Sequence, residues 1–267
     1  MAVTLRRMAD DQELVLARAR GDRWLPETRP QTVEEAGRFV DDVGCALLFP
    51  AANTLAPSLY ETVAEEDAVA WADGMGEAES TVWTWKDALP EAGLAWYGRF
   101  LFRRASLLSP DLLRALYTGP GDPDDHEDLD LPREAHEIAR ALLTGPLTSR
   151  ALRELIGDRA AYERAMTELQ RRLLVTSAGV REQRAGWPAS IVDLTCRRFD
   201  VGGGHDAPAA ARRYLETAVE ASPGQLARAY GWTAAVARSH LDALVAAGQA
   251  RRQANSYRSQ GAPDVPQ

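Results

Sequence analysis

Apolar residues recur along much of the chain at intervals of three and four, the period of a helix with one buried face. The places where that period breaks divide the sequence. Residues 1–31 form a leader, a short helix around 10–20 followed by a polar turn through Gly21, Pro26 and Pro30. Thr32 has Glu35 three positions on, the capping-box spacing, and opens a helix to about Val43. Residues 46–49 are a short buried strand or a helix end closed by Pro50, and residues 58–72 are helical in pattern. Residues 83–86, Trp-Thr-Trp-Lys, look extended; two tryptophans at i, i+2 share one strand face as a core anchor and leave Lys86 pointing outward. Residues 90–104 and 109–117 read as helices, the second with Ser109 as N-cap and Pro110 behind it.

Residues 119–131 carry prolines, glycines and six acids and read as a linker. Beyond it the pattern is regular. Helices are expected over 133–143, 148–156 and 158–173, then a strand at 173–178, a polar segment and a second strand at 189–194. Three helices followed by a hairpin with a basic tip is the winged helix-turn-helix order. Helical patterns at 208–221, 222–230 and 233–247 repeat it, and residues 249–252 could start a second wing. The fold class expected is mainly α (α+β): tandem winged helix-turn-helix modules with small β-hairpin wings, preceded by a helical N-terminal domain. In residues this gives a leader (1–31), a helical N-terminal domain with a Trp-rich motif (32–118), an acidic linker (119–131), two winged helices (132–200 and 207–258) and a tail (259–267).

The first module's third helix has Tyr162, Met166, Leu169 and Leu173 along one seam, so its opposite face carries Ala160, Arg164, Thr167, Glu168 and Arg171. Small residues with two arginines suit a helix lying in a major groove. Arg172, and Arg181 and Arg184 on the wing, would reach the flanking backbone; the alternative is a solvated helix face. The corresponding surface of the second module, Ala235, Val236, Ser239, Asp242 and Ala243, has no positive charge and suits packing on another domain or subunit.

Net charge is −8, which argues against a nucleic-acid partner until it is split by position. Residues 1–132 hold 12 basic and 25 acidic side chains, a net of −13, and residues 133–267 hold 19 and 14, a net of +5. One half is therefore expected to face double-stranded DNA, and the acidic N-terminal half a protein partner; the alternative is that the two halves simply attract each other. No run is long and apolar enough for a membrane span, and no secretory h-region stands at the start, so a cytoplasmic protein is expected. Cys45 and Cys196 admit one disulfide, although two buried thiols are favoured. No metal-ligand spacing, phosphate loop or nucleophile elbow is present, and no cofactor is implied.

Several stretches together resemble one family. Arg212-Arg213-Tyr214-Leu215, Ser222 to Ala227, and Gly231-Trp232 resemble the winged-helix DNA glycosylases of crosslink repair, the AlkZ/YcaQ group. Trp83 to Pro90, with Tyr97-Gly98 and Ser109, resembles a shorter AlkZ-related branch, and the similarity covers roughly residues 32–250. The resemblance implies a protein that binds DNA and hydrolyses the N-glycosidic bond of alkylated nucleotides. Active members orient water with a Gln-hydrophobic-Asp or Gln-x-Gln motif, which none of the nine glutamines here begins. Asp87 and Glu91, beside Trp85, are the candidate catalytic carboxylates. A non-catalytic transcriptional regulator or interaction scaffold is the alternative.

Overall fold

A computed structural model describes residues 2–64, 75–181 and 188–261, with side chains from residue 13 onward. Helix α1 (Ala2–Trp24) runs back to the C-terminal half, where the Trp24 indole donates to the Thr217 carbonyl at 2.7 Å. Helix α2 (Val33–Val43) begins where the capping spacing put it: the Glu35 amide donates to the Thr32 hydroxyl at 3.2 Å. After β1 (Cys45–Leu47) and the short α3 (Leu59–Val63) comes α4 (Glu77–Glu91), and then β2 (Trp96–Arg99), β3 (Ala105–Leu108) and α5 (Pro110–Leu116). The three strands form one antiparallel sheet in the order β1-β3-β2.

Two sequence expectations fail in this part. Residues 83–86 are not extended but lie within α4, because Glu79, Val82, Trp85, Lys86 and Leu89 are buried together at helical spacing. Burial of that face outweighs the strand preference of Trp and Thr. The expected helix over 90–104 is instead the end of α4, a turn and strand β2, so the N-terminal domain is not wholly helical. The Trp96 indole folds over Gly98 on the same strand face; a Cβ at Gly98 would meet that ring at 2.4 Å.

The C-terminal half holds two units of like construction. The first comprises α6 (Arg133–Leu142), β4 (Leu147–Thr148), α7 (Ser149–Ile156), α8 (Arg159–Arg171), β5 (Val175–Arg181) and β6 (Ala189–Leu194). A short α9 (Thr195–Arg198) leads to the second: α10 (Ala207–Ala218), β7 (Glu220–Ala221), α11 (Pro223–Tyr230), α12 (Ala234–Ala246), β8 (Ala250–Gln253) and β9 (Ser256–Ser259). Each has an antiparallel sheet of the same order, β4-β6-β5 and β7-β9-β8, so the second hairpin closes fully. Thr148, Asp158, Ser222 and Thr233 cap their helices through side-chain oxygens. Ala237, Leu241 and Leu244 of α12 face inward as the periodicity requires.

All three sheets share one core. Trp96, Leu101 and Leu113 from the N-terminal part, Ile138 and Leu169 from the first unit, and Tyr214 and Tyr257 from the second belong to a single buried cluster. A smaller core lies under α2, α3 and α4, with Phe39, Tyr60, Val82 and Leu89. The acidic segment 119–131 is packed: Tyr117 donates to Asp125 at 2.7 Å, and His126 and Leu131 are buried. The two cysteines are free thiols, and burial pushes that of Cys45 up to about 12. Among the described residues no helix is long and apolar enough to cross a membrane.

Ser106 holds the β2–β3 connection together. Its fully buried hydroxyl accepts from the amides of Phe100 (3.3 Å) and Leu101 (3.1 Å) and lies 3.2 Å from the Gly98 carbonyl and 3.1 Å from that of Arg104. Phe102 and Arg103 between them are left-handed, at φ 52° and 61°, a conformation that costs side-chain-bearing residues energy. Ser106→Ala should lower unfolding free energy by about 1–3 kcal/mol by orphaning those amides, measured by urea titration. Burial also holds the His126 imidazole below its ordinary 6.5. The unfolded chain therefore takes up this proton first, and stability should fall as pH drops through 6.5; His126→Phe should flatten the loss between pH 7 and pH 5 in thermal melts.

Candidate active site

Helix α4 lies against β2 and β5, and its residues 86 and 87 turn two opposite charges into that junction. Both are about 6% exposed. The Lys86 ammonium pairs with Asp87 Oδ2, and the Ser177 hydroxyl of β5 donates to Asp87 Oδ1 at 2.7 Å. Lys86 Nζ also stands 4.7 Å from the centre of the Trp83 ring and 5.7 Å from that of Tyr97, within the range of cation–π attraction. Burial, with the Asp87 charge added, raises the Tyr97 phenol well above its usual range, so it stays a neutral hydroxyl.

Trp83, Lys86 and Asp87 line a cavity of about 560 Å³, with Ser177 and Tyr97 packed behind the pair. Among the described residues Lys86 and Asp87 supply its charged groups, Trp83 forms a wall, and Met75 of the chain before α4 with Val180 and Pro188 of the hairpin supply apolar surface. Trp83 is 42% exposed, with Lys86 over its ring. An aromatic wall, apolar sides and a fixed ion pair suit a flat, polar-edged ring such as a nucleobase. Asp87 keeps capacity for a further partner, since a carboxylate accepts about four hydrogen bonds.

Of the two carboxylates read from the sequence, Asp87 lines this cavity and Glu91 does not. Glu91, one turn further on, lies against the β5 bulge: a Cβ on Gly179 would meet its carboxyl carbon at 2.7 Å. The expected outward Lys86 is corrected to a buried one, and the expected pair of buried tryptophans to a buried Trp85 with an exposed Trp83. The position was marked by its chemistry, since Lys86 is the only lysine among 31 basic residues. Ser177 carried no mark, and Tyr97 was marked only through the family resemblance, without a role at this site. Their role depends on how strands far apart in sequence meet.

The residues expected to bind DNA lie elsewhere. Arg164 is exposed on α8, and the Thr167 hydroxyl bonds back to the Glu163 carbonyl at 2.7 Å. Arg171 and Arg172 bracket Glu168 at 3.2 and 3.1 Å. Arg181 is exposed at the end of β5, and Arg184 lies outside the described residues. One flank of α8 is covered, because the Arg99 amide of β2 donates to Gln170 at 3.1 Å and its guanidinium is 4.0 Å from Glu163. Carboxylates of Asp122, Asp124 and Asp125 come within 4.8 Å of one another on the segment before α6, and none of the three lines the cavity.

A buried pair is expensive to break, because the remaining charge is left without a partner. Asp87→Asn should cost about 3–5 kcal/mol of unfolding free energy, and the double change Lys86→Met with Asp87→Leu should regain most of it. Denaturant titration of the two variants checks this; equal losses in both would contradict the pairing.

The model of the AlkZ-related family matches residues 30–230, which takes in α4, the cavity and the whole first C-terminal unit, and the chain belongs to that family. No curated protein and no solved structure matches the chain.

Proposed function

We propose that this AlkZ-related protein binds duplex DNA through winged-helix units and hydrolyses the N-glycosidic bond of a modified nucleotide everted into the cavity at Trp83, Lys86 and Asp87. Family membership supports DNA as the substrate. The twice-repeated order of helix, strand, two helices and hairpin supports the winged-helix reading. The observation that carries the chemistry is the buried Lys86–Asp87 pair at the cavity, held from the other side by Ser177.

Hydrolysis of this bond passes through a sugar with oxocarbenium character, positive at C1′, while the departing base gains electrons. The Asp87 carboxylate acts on that charge and on the attacking water. Water oxygen bonds to C1′ as the C1′–N bond breaks; the bonding pair leaves with the base, and the water proton passes to the carboxylate. Lys86, engaged by Asp87, serves as a fixed positive charge for the departing base rather than as a nucleophile. Ser177 holds the carboxylate in place, and Trp83 offers a ring face on which the everted base stacks. This assignment replaces the glutamine-led water motif that the chain lacks.

Release of free base from an N-alkylated duplex tests the proposal. Wild type should release base. Asp87→Asn, assayed well below its melting temperature, should be slower by about 10²–10⁴-fold, the range for loss of a proton-transfer group. Ser177→Ala should lose about tenfold, and Trp83→Ala should raise the substrate concentration needed for half-maximal rate. No release by wild type rejects catalysis and leaves a DNA-binding regulator; full release by Asp87→Asn rejects this site.

A further inference from the structure

Away from the cavity, the chain gathers arginines where its three parts meet. The β2–β3 connection supplies Arg103 and Arg104, the end of α8 supplies Arg171 and Arg172, and α11 supplies Arg228. They line two clefts of about 390 and 510 Å³ that share Arg103, Arg171, Arg228 and Trp232 and so form one trough. Among the described residues Glu168 is the only acidic one lining it, and its carboxylate already spans Arg171 and Arg172. No carboxylate pairs with Arg103, Arg104 or Arg228 among the described residues. A chain of net charge −8 thus turns five guanidinium groups and one carboxylate toward one trough.

The arrangement is built rather than loose. Ser106 holds the left-handed Phe102–Arg103 turn that presents two of the arginines. Leu173, also lining the trough, has φ 60°. Trp232 is fixed by ring contacts with Tyr230 at 5.0 Å and His240 at 5.1 Å. Like charges held together this way repel unless an anion lies between them, and planar guanidinium forks match phosphate oxygens two at a time. Arg164, seven residues before Arg171, stands on the same face of α8 about 10 Å along its axis and extends the positive line beyond the trough.

We infer that this trough is a binding track for the phosphodiester backbone of duplex DNA, with Arg103, Arg171 and Arg228 as its central contacts. The inference rests on the DNA-binding reading above and deepens it, since it places the backbone on the junction of all three parts rather than on the exposed face of α12. Three of the five arginines, Arg103, Arg104 and Arg228, were not singled out by the sequence, and two of these stand in its acidic half.

Fluorescence anisotropy with an undamaged duplex, titrated over a range of salt concentrations, tests the track. Arg103 and Arg228 are exposed and unpaired, so Arg103→Ser with Arg228→Ser should leave the melting temperature unchanged. The double variant should bind at least about tenfold more weakly at low salt, and the slope of log affinity against log salt should fall by about two. A matched control, Arg140→Ser with Arg150→Ser, makes the same change in net charge on α6 and α7 and should keep the wild-type slope. If wild type binds and the trough variant keeps its slope, or the control loses as much, the track is wrong while the DNA reading stands. If wild type shows no salt-dependent binding, both fall.

Discussion

The structure depends on how strand β2 is clasped to the first C-terminal unit. The Thr176 hydroxyl of β5 bonds to both the amide and the carbonyl of Tyr97, at 3.2 and 3.1 Å, and the Trp96 indole donates to the Thr195 hydroxyl at 3.1 Å. Thr176, Thr195 and Trp96 are buried, so these bonds form away from competing water and would be costly to leave unmade. Both candidate sites follow from the clasp. On the α4 side it brings Ser177 against Asp87 and Tyr97 beneath Lys86. Beyond the other end of β2 it sets the Arg103–Arg104 turn beside the end of α8.

The Lys86–Asp87 pair is the structural feature least explained by stability. Apolar residues of similar volume would fill the same space with no charge to desolvate, and such replacements are often neutral or stabilising. Two adjacent residues on α4 nonetheless both turn inward, and a third group on β5 completes their hydrogen bonding. Strain is distributed in the same selective way. Four of the six non-glycine residues with positive φ among those described, Asn53, Phe102, Arg103 and Leu173, line the arginine trough. Energy is stored where charge is presented, which is the expected pattern for surfaces kept for binding or chemistry.

Local signals were legible in the sequence and meetings between distant segments were not. Thr32 and Ser109 cap their helices because capping is written within four residues, and the helix-rich order of the C-terminal half could be read from apolar spacing. Residues 83–86 misled because two tryptophans and a threonine favour a strand locally, whereas Val82, Lys86 and Leu89 at helical spacing carried the opposite and correct message. The helix expected over 90–104 failed because β2 exists only through its pairing with β3. Asp87 was legible as a carboxylate in an unusual motif. Its pairing with Lys86 and Ser177 was not, because Ser177 is ninety residues away and reaches the site through the clasp.

Charge shows why position in the chain is a poor guide to position in space. Divided at residue 132, the sequence has a strongly acidic half and a mildly basic one, which suggested that only the second half meets DNA. Within the acidic half, however, Arg99, Arg103 and Arg104 fall in six residues without one acid among them. The end of β2 and the β2–β3 connection carry them to the edge of α8, so the acidic half supplies part of the basic surface. Among the described residues none of its carboxylates lines the trough, and on the proposed reading a cluster such as Asp122, Asp124 and Asp125 opposes any placement of DNA on its own surface. On the proposed reading, attraction along the trough and repulsion from the acidic surface act together, leaving few orientations open to a bound duplex. Backbone contacts of this kind carry no sequence information but fix register. Under the proposed function, choice among nucleotides is then left to what the walls around Trp83 and Asp87 accept.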